Sequence, residues 1–149
     1  MGVLRSRRTG GGTISLELAK RSIDIGIVVT DPERMLAFYR DTLGLRHQRT
    51  RETGPGGTIH LLECGDSLVK LLEPPTPPQH RHVRGGTRAQ TGMRYITIYV
   101  TNIDELVARC TEAGCHFPVP LRKSTGEEGG RYCQLEDPEG NIVQLQQAD

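Results

Sequence analysis

The chain has 149 residues, 25% of them charged and 35% apolar, with a formal net charge of +1. That size supports one domain and one core rather than two. The near-neutral charge excludes a global field for nucleic acid or acidic lipid, and 4% aromatic residues with no Trp leave little to build a base-stacking platform.

Residues 1–20 come first. Arg5, Arg7 and Arg8 make them basic, but no apolar stretch follows, so the segment reads as a flexible tail rather than a secretory leader, with a phosphate-binding arm as the alternative. No apolar run of about 18 residues follows anywhere, so no membrane span is expected. Cys64, Cys110, Cys115 and Cys133 lack zinc-ligand spacing and read as reduced thiols of a cytoplasmic protein.

A first module spans 22–73. Ile25, Ile27 and Val29 alternate as a strand. Asp31-Pro32-Glu33 supplies an N-cap, a first-turn proline and an acid. Met35, Leu36, Tyr39 and Leu43 then recur at helical spacing up to Gly44, a left-handed stop. Strands follow at 58–63 and 67–72, divided by Cys64-Gly65-Asp66. Residues 74–91, rich in Pro, Gly, His and Arg, form a linker on which His80 and His82 are expected to be solvated rather than metal ligands.

A second module, 92–147, repeats the first. Ile25, Ile27, Val29 and Thr30 recur as Ile96, Ile98, Val100 and Thr101. Asn102-Ile103-Asp104-Glu105 opens a helix carrying Leu106, Val107 and Cys110 and ending at Gly114, with strands at 131–135 and 141–146 around Asp137-Pro138-Glu139-Gly140. Val69-Lys70-Leu71 corresponds to Val143-Gln144-Leu145. The fold class is therefore α+β, built from two tandem modules.

Alternation assigns the faces. Ile25, Ile27, Val69, Leu71, Ile59 and Leu61 are expected against the helices, with Val143 and Leu145 in the second copy. Asp24, His60, Lys70, Tyr95, Thr97, Tyr99 and Gln144 then face the other way, and this polar face is a candidate small-molecule pocket.

Residues 23–45, 92–114 and Asp137-Pro138-Glu139-Gly140-Asn141 resemble the vicinal oxygen chelate superfamily, which includes glyoxalase I, methylmalonyl-CoA epimerase, extradiol dioxygenases and bleomycin-resistance proteins. The resemblance implies βαβββ modules, curved sheets around a pocket, and a homodimer. The family's metal ligands sit on the first and last strands of each module, at Asp24, Lys70, Tyr95 and Gln144 here. Lysine at such a position repels a divalent ion, and Asp24 with Gln144 supplies only two ordinary oxygen donors. The expectation is a pocket without metal or cofactor, with Asp24 paired to Lys70. A metal held by Asp24, His60 and Gln144 is the alternative.

In that reading His60, where epimerases of the family keep a Glu base, abstracts a proton while Lys70 and Tyr95 polarise a carbonyl or carboxylate oxygen. Gln144, Thr97, Tyr99 and Tyr132 would line the substrate site. Arg131 either clamps an anionic substrate or pairs with Glu127 or Glu128 at the rim, beside a glycine-rich loop at the pocket mouth. The function expected first is metal-independent isomerase, epimerase or lyase chemistry on a small molecule. A metal-free drug-sequestering protein and a metal-dependent lyase or dioxygenase with atypical ligands are the alternatives, and neither nucleic acid nor membrane is an expected partner.

Overall fold

The computed structural model describes residues 15–54, 56–127 and 129–149, so most of the predicted basic tail lies outside them. Each module opens with a strand, β1 (Ile25–Val28) or β5 (Tyr95–Tyr99), followed by a helix, α1 (Pro32–Leu36) or α2 (Ile103–Glu112). Three antiparallel strands complete each module: β2 (Arg46–Glu52), β3 (Thr58–Cys64) and β4 (Ser67–Glu73), then β6 (His116–Lys123), β7 (Arg131–Glu136) and β8 (Ile142–Gln147). The sheets run β1-β4-β3-β2 and β5-β8-β7-β6, and the first strand of each pairs in parallel with the last. Both sheets are curled but not closed.

The predicted helix starts differ in how they are capped. Asp31 accepts a 3.2 Å bond from the Arg34 N–H, as its position predicts. Asn102 makes no such cap. The Ile103 N–H instead bonds 2.9 Å to the Gln147 side-chain oxygen, so the last strand caps the second helix. After Leu36 the first helix widens into a π-helical segment, Ala37–Thr42, closed by Leu43 N–H to Phe38 C=O at 2.9 Å, and Gly44 ends it at φ 84°.

One apolar cluster spans both modules. Val29, Met35, Tyr39, Leu62, Val69 and Leu71 of the first pack with Ile103, Leu106, Cys110, Cys133, Leu135 and Leu145 of the second. The β7–β8 turn locks onto the first module. Tyr39 donates to Asp137 Oδ2 at 2.8 Å, and the Glu139 carboxylate accepts from Thr30 N–H at 2.9 Å and from the Thr30 hydroxyl at 2.7 Å. Asp137 is buried, which raises its pKa above the ordinary value, yet it also accepts from the Glu139 and Asn141 amides. This acidic turn joins the two copies alongside the shared apolar cluster.

The segment between modules is not a loose linker. Arg81 reaches the Thr30 hydroxyl at 2.7 Å, Arg84 holds Glu136 and the Pro138 carbonyl, and Arg94 holds the Val83 and Gly86 carbonyls at 2.8 and 2.7 Å. His82, expected in solvent, packs against the Arg94 guanidinium at 3.0 Å. Three arginines therefore turn a Pro- and Gly-rich stretch into a fastened strap.

Candidate functional site

Paired residues in a sheet point to the same side, so strand register decides which side chains share a face. β1 aligns with β4 through Ile25↔Val69, Gly26↔Lys70 and Ile27↔Leu71. Val69 and Leu71 are in the core, so Lys70 lies on the opposite, concave face, as predicted. β3 aligns through His60↔Leu71, Leu61↔Lys70 and Leu62↔Val69. This reverses the expectation for β3. Leu62 faces the core and takes His60 with it, while Ile59 and Leu61 share the concave side with Lys70. Two adjacent leucines, 61 and 62, obscure the alternation, and both are buried.

His60 therefore sits on the helix side. There the Thr50 hydroxyl lies 2.8 Å from His60 Nδ1 and 2.9 Å from His47 Nε2. Burial first, and the neighbouring His47 second, hold the His60 pKa below its ordinary value.

Arg131 also leaves the site. It pairs with Gln147 in register and forms a two-pronged ion pair with Asp104 of α2 at 2.8 and 2.7 Å. Asp104, not Glu127, is its ion-pair partner. Glu128 lies outside the described residues.

What remains on the concave face is split between modules. In the first, Asp24 accepts from Lys20 Nζ at 2.6 Å and from the Leu68 amide at 2.9 Å, and Lys70 Nζ is 3.3 Å away. These partners, Lys20 foremost, hold the Asp24 carboxyl down at about 2. The sequence pointed to Lys70 as its partner but missed Lys20, four residues earlier in the chain.

In the second module, register aligns Thr97↔Gln144↔Gln134 and Tyr99↔Gln146↔Tyr132. The amides form a chain: Gln134 Nε2 donates to Gln144 Oε1 at 3.0 Å, and Gln144 Nε2 donates to Gln146 Oε1 at 3.2 Å. Arg122 Nη2 donates to the Tyr132 hydroxyl at 3.0 Å. Gln134 and Arg122 were not anticipated, although Gln134 stands two residues from Tyr132 on the same strand. Tyr95 and Tyr99 are more than half exposed. Asp24 bonds Lys20, Leu68 and Lys70 on the first-module side, and Gln144 bonds Gln134 and Gln146 in the second.

A family model for the Glyoxalase/Bleomycin resistance protein/Dioxygenase superfamily matches residues 21–145. The chain belongs to this superfamily. Among solved structures, a glyoxalase family protein from Bacillus cereus superposes with a TM-score of 0.72 at 22% identity, covering 89% of this chain and 96% of that one. The trypanothione-dependent glyoxalase I of Leishmania major gives 0.64 at 22% identity, covering 87% of each chain. TioX from Micromonospora sp. ML1 gives 0.63 at 22%, covering 85% of this chain and 98% of that one. At such identities the likeness is one of fold. No curated protein matches the sequence.

The superfamily includes metal enzymes, so the fit of these residues to a metal matters. It is poor. Asp24 already neutralises two ammonium groups, Lys70 is itself one of them, and the Gln144 oxygen already accepts a bond from Gln134. Among the described residues no three His, Cys, Asp or Glu side chains converge on one point.

Proposed function

We propose that this superfamily member binds a small polar molecule on its concave face without a metal ion, using Lys70, Tyr95 and Gln144 as hydrogen-bonding groups. The observation that carries this reading is Lys70 Nζ at 3.3 Å from Asp24, an ammonium standing at a position where the family keeps a metal ligand. An ammonium with three donors, one directed at Asp24, suits a carbonyl or carboxylate oxygen of the ligand. Thr97, Tyr99 and Tyr132 lie on the same face and would extend the contact surface.

Binding is favoured over acid–base catalysis because the base expected from the sequence, His60, is on the other side of the sheet, and Asp24 is held too acidic to take a proton near neutral pH. An isomerase or lyase reaction would have to draw its base from elsewhere.

The reading includes a homodimer. Val28, Met93, Tyr95 and Tyr99 are large apolar residues left exposed along β1 and β5, and a second copy laid there would complete a face that one chain leaves in two halves. The four unpaired cysteines favour a reducing compartment. No helix among the described residues is long and apolar enough to cross a membrane.

The test is metal analysis of the purified protein before and after chelation, and again after nickel, cobalt, zinc, iron or manganese is supplied, alongside a thermal-shift screen of small carbonyl and carboxylic compounds. The expected result is no near-stoichiometric metal, and a ligand shift that is lost in Lys70→Met but kept in His60→Ala. Tight binding of one metal, or a shift indifferent to Lys70, would overturn the reading.

A further inference from the structure

A cavity of about 770 Å³ lies along the seam between β1 and β5, beneath the strap. Its walls are largely apolar, with Ile23, Ile25 and Ile27 on one side and Met93, Ile96 and Ile142 on the other. Thr87, Gln90 and Asn141 add polar groups, and no carboxylate lines it. Arg94 does line it, and Arg94 is only 7% exposed. Its guanidinium bonds two backbone carbonyls and the His82 ring, its Nε has no hydrogen-bond partner, and it forms no ion pair among the described residues.

A guanidinium cannot shed its proton in a protein, and a buried charge without a counter-ion is costly. The carbonyls and the imidazole offer dipoles, not a compensating charge. An apolar cavity beside an uncompensated cation calls for an apolar anion, and a planar carboxylate matches the guanidinium best.

We propose that the seam cavity is a second ligand site, taking a small organic acid whose carboxylate compensates Arg94 and whose apolar body lies against the isoleucines. The Asp24–Lys70 pair takes no part in it, but Val28, Met93 and Tyr95 also belong to the face given above to a second copy, so the site requires that such a copy leave the cavity open.

The experiment is calorimetric titration of the full chain with octanoate and with octan-1-ol, which share a body and differ in charge. Octanoate is expected to bind at least about tenfold tighter than the alcohol. Arg94→Gln should abolish that difference. Because Arg94 also pins the strap, Gln90→Asp is the second variant: Gln90 lines the cavity and is exposed, so the fold should tolerate the change, while the new carboxylate repels the ligand's. It should weaken octanoate at least about tenfold and leave octanol unchanged. Lys70→Met should leave octanoate binding intact. Equal affinity for acid and alcohol, or a folded Gln90→Asp protein that binds octanoate like the parent, would overturn the proposal. So would a stable dimer by light scattering that takes up neither probe, because a second copy would then fill the seam.

Discussion

Asp24 gathers more partners than the one expected for it. Lys20, Leu68 and Lys70 converge on one partly exposed carboxylate and hold it at about 2. A depressed carboxyl pKa contributes stability that is present above the unfolded value and is lost as pH falls through the folded one. The relevant window runs from the ordinary value of 3.8 down to about 2. Asp24→Asn should therefore flatten the fall of melting temperature across that window, and added salt should shrink the difference, since the groups are accessible to solvent. Identical acid limbs for parent and variant would show that the cluster contributes nothing.

Backbone sites make a sharper contrast. A Cβ on Gly130 would lie 2.0 Å from the Gln147 carbonyl oxygen, at a φ of 73°, whereas a Cβ on Gly26 meets nothing within 4 Å. Gly130→Ala should cost about 2–4 kcal/mol by urea denaturation, and Gly26→Ala should stay within about 0.5 kcal/mol. The Asp24–Lys70 pair was legible through the family resemblance, which set the two strands side by side, while clean alternation put both residues on one face. His60 was misread because Leu61 and Leu62 are both apolar, and only pairing with β4 decides which of them turns inward.

Among the elements, those with a buried face announced themselves. β1, β3, β4, β5, β7 and β8 carry the apolar residues of the two sheets and were visible as strands, as were both helices. β2 and β6 were implied by the family resemblance but not located. Arg46–Glu52 is almost wholly polar, and His116–Lys123 contains two prolines, so neither has the pattern of a paired strand. Both lie at sheet edges, where one side needs no partner and proline and charge are tolerated.

The α2 cap was hidden for a different reason. Its acceptor, Gln147, is remote in sequence and arrives only when β8 pairs beside β5. Gln147→Ala should cost about 1 kcal/mol and speed amide exchange in the first turn of α2. Gln147→Glu should restore most of the loss, because a carboxylate both accepts the Ile103 bond and favours the positive helix end. If exchange at 103–106 is the same in all three proteins, the cap is incidental.

At the scale of the whole molecule the question is what joins two copies of one module. Two devices are present. One is the shared apolar cluster, which draws on both helices and both sheets. The other is the β7–β8 turn, where Glu139 takes both Thr30 donors and Asp137 takes the Tyr39 hydroxyl. The sequence showed this turn as a break between strands, but its reach across to the other module depends on the tertiary fold and has no local signature.

The two devices can be separated by their failure. Glu139→Ala leaves the Thr30 amide without its acceptor and should cost about 1–3 kcal/mol. For a chain of this size that corresponds to a melting temperature lower by about 2–10 °C. The apolar cluster is untouched, and apolar burial is the larger source of coupling. Glu139→Ala should therefore still unfold in one transition, with calorimetric and van't Hoff enthalpies equal. Two resolved transitions would mean that the acidic turn, not the core, makes the modules one folding unit. An unchanged melting temperature would mean that the Thr30 donors find water as readily as they find Glu139.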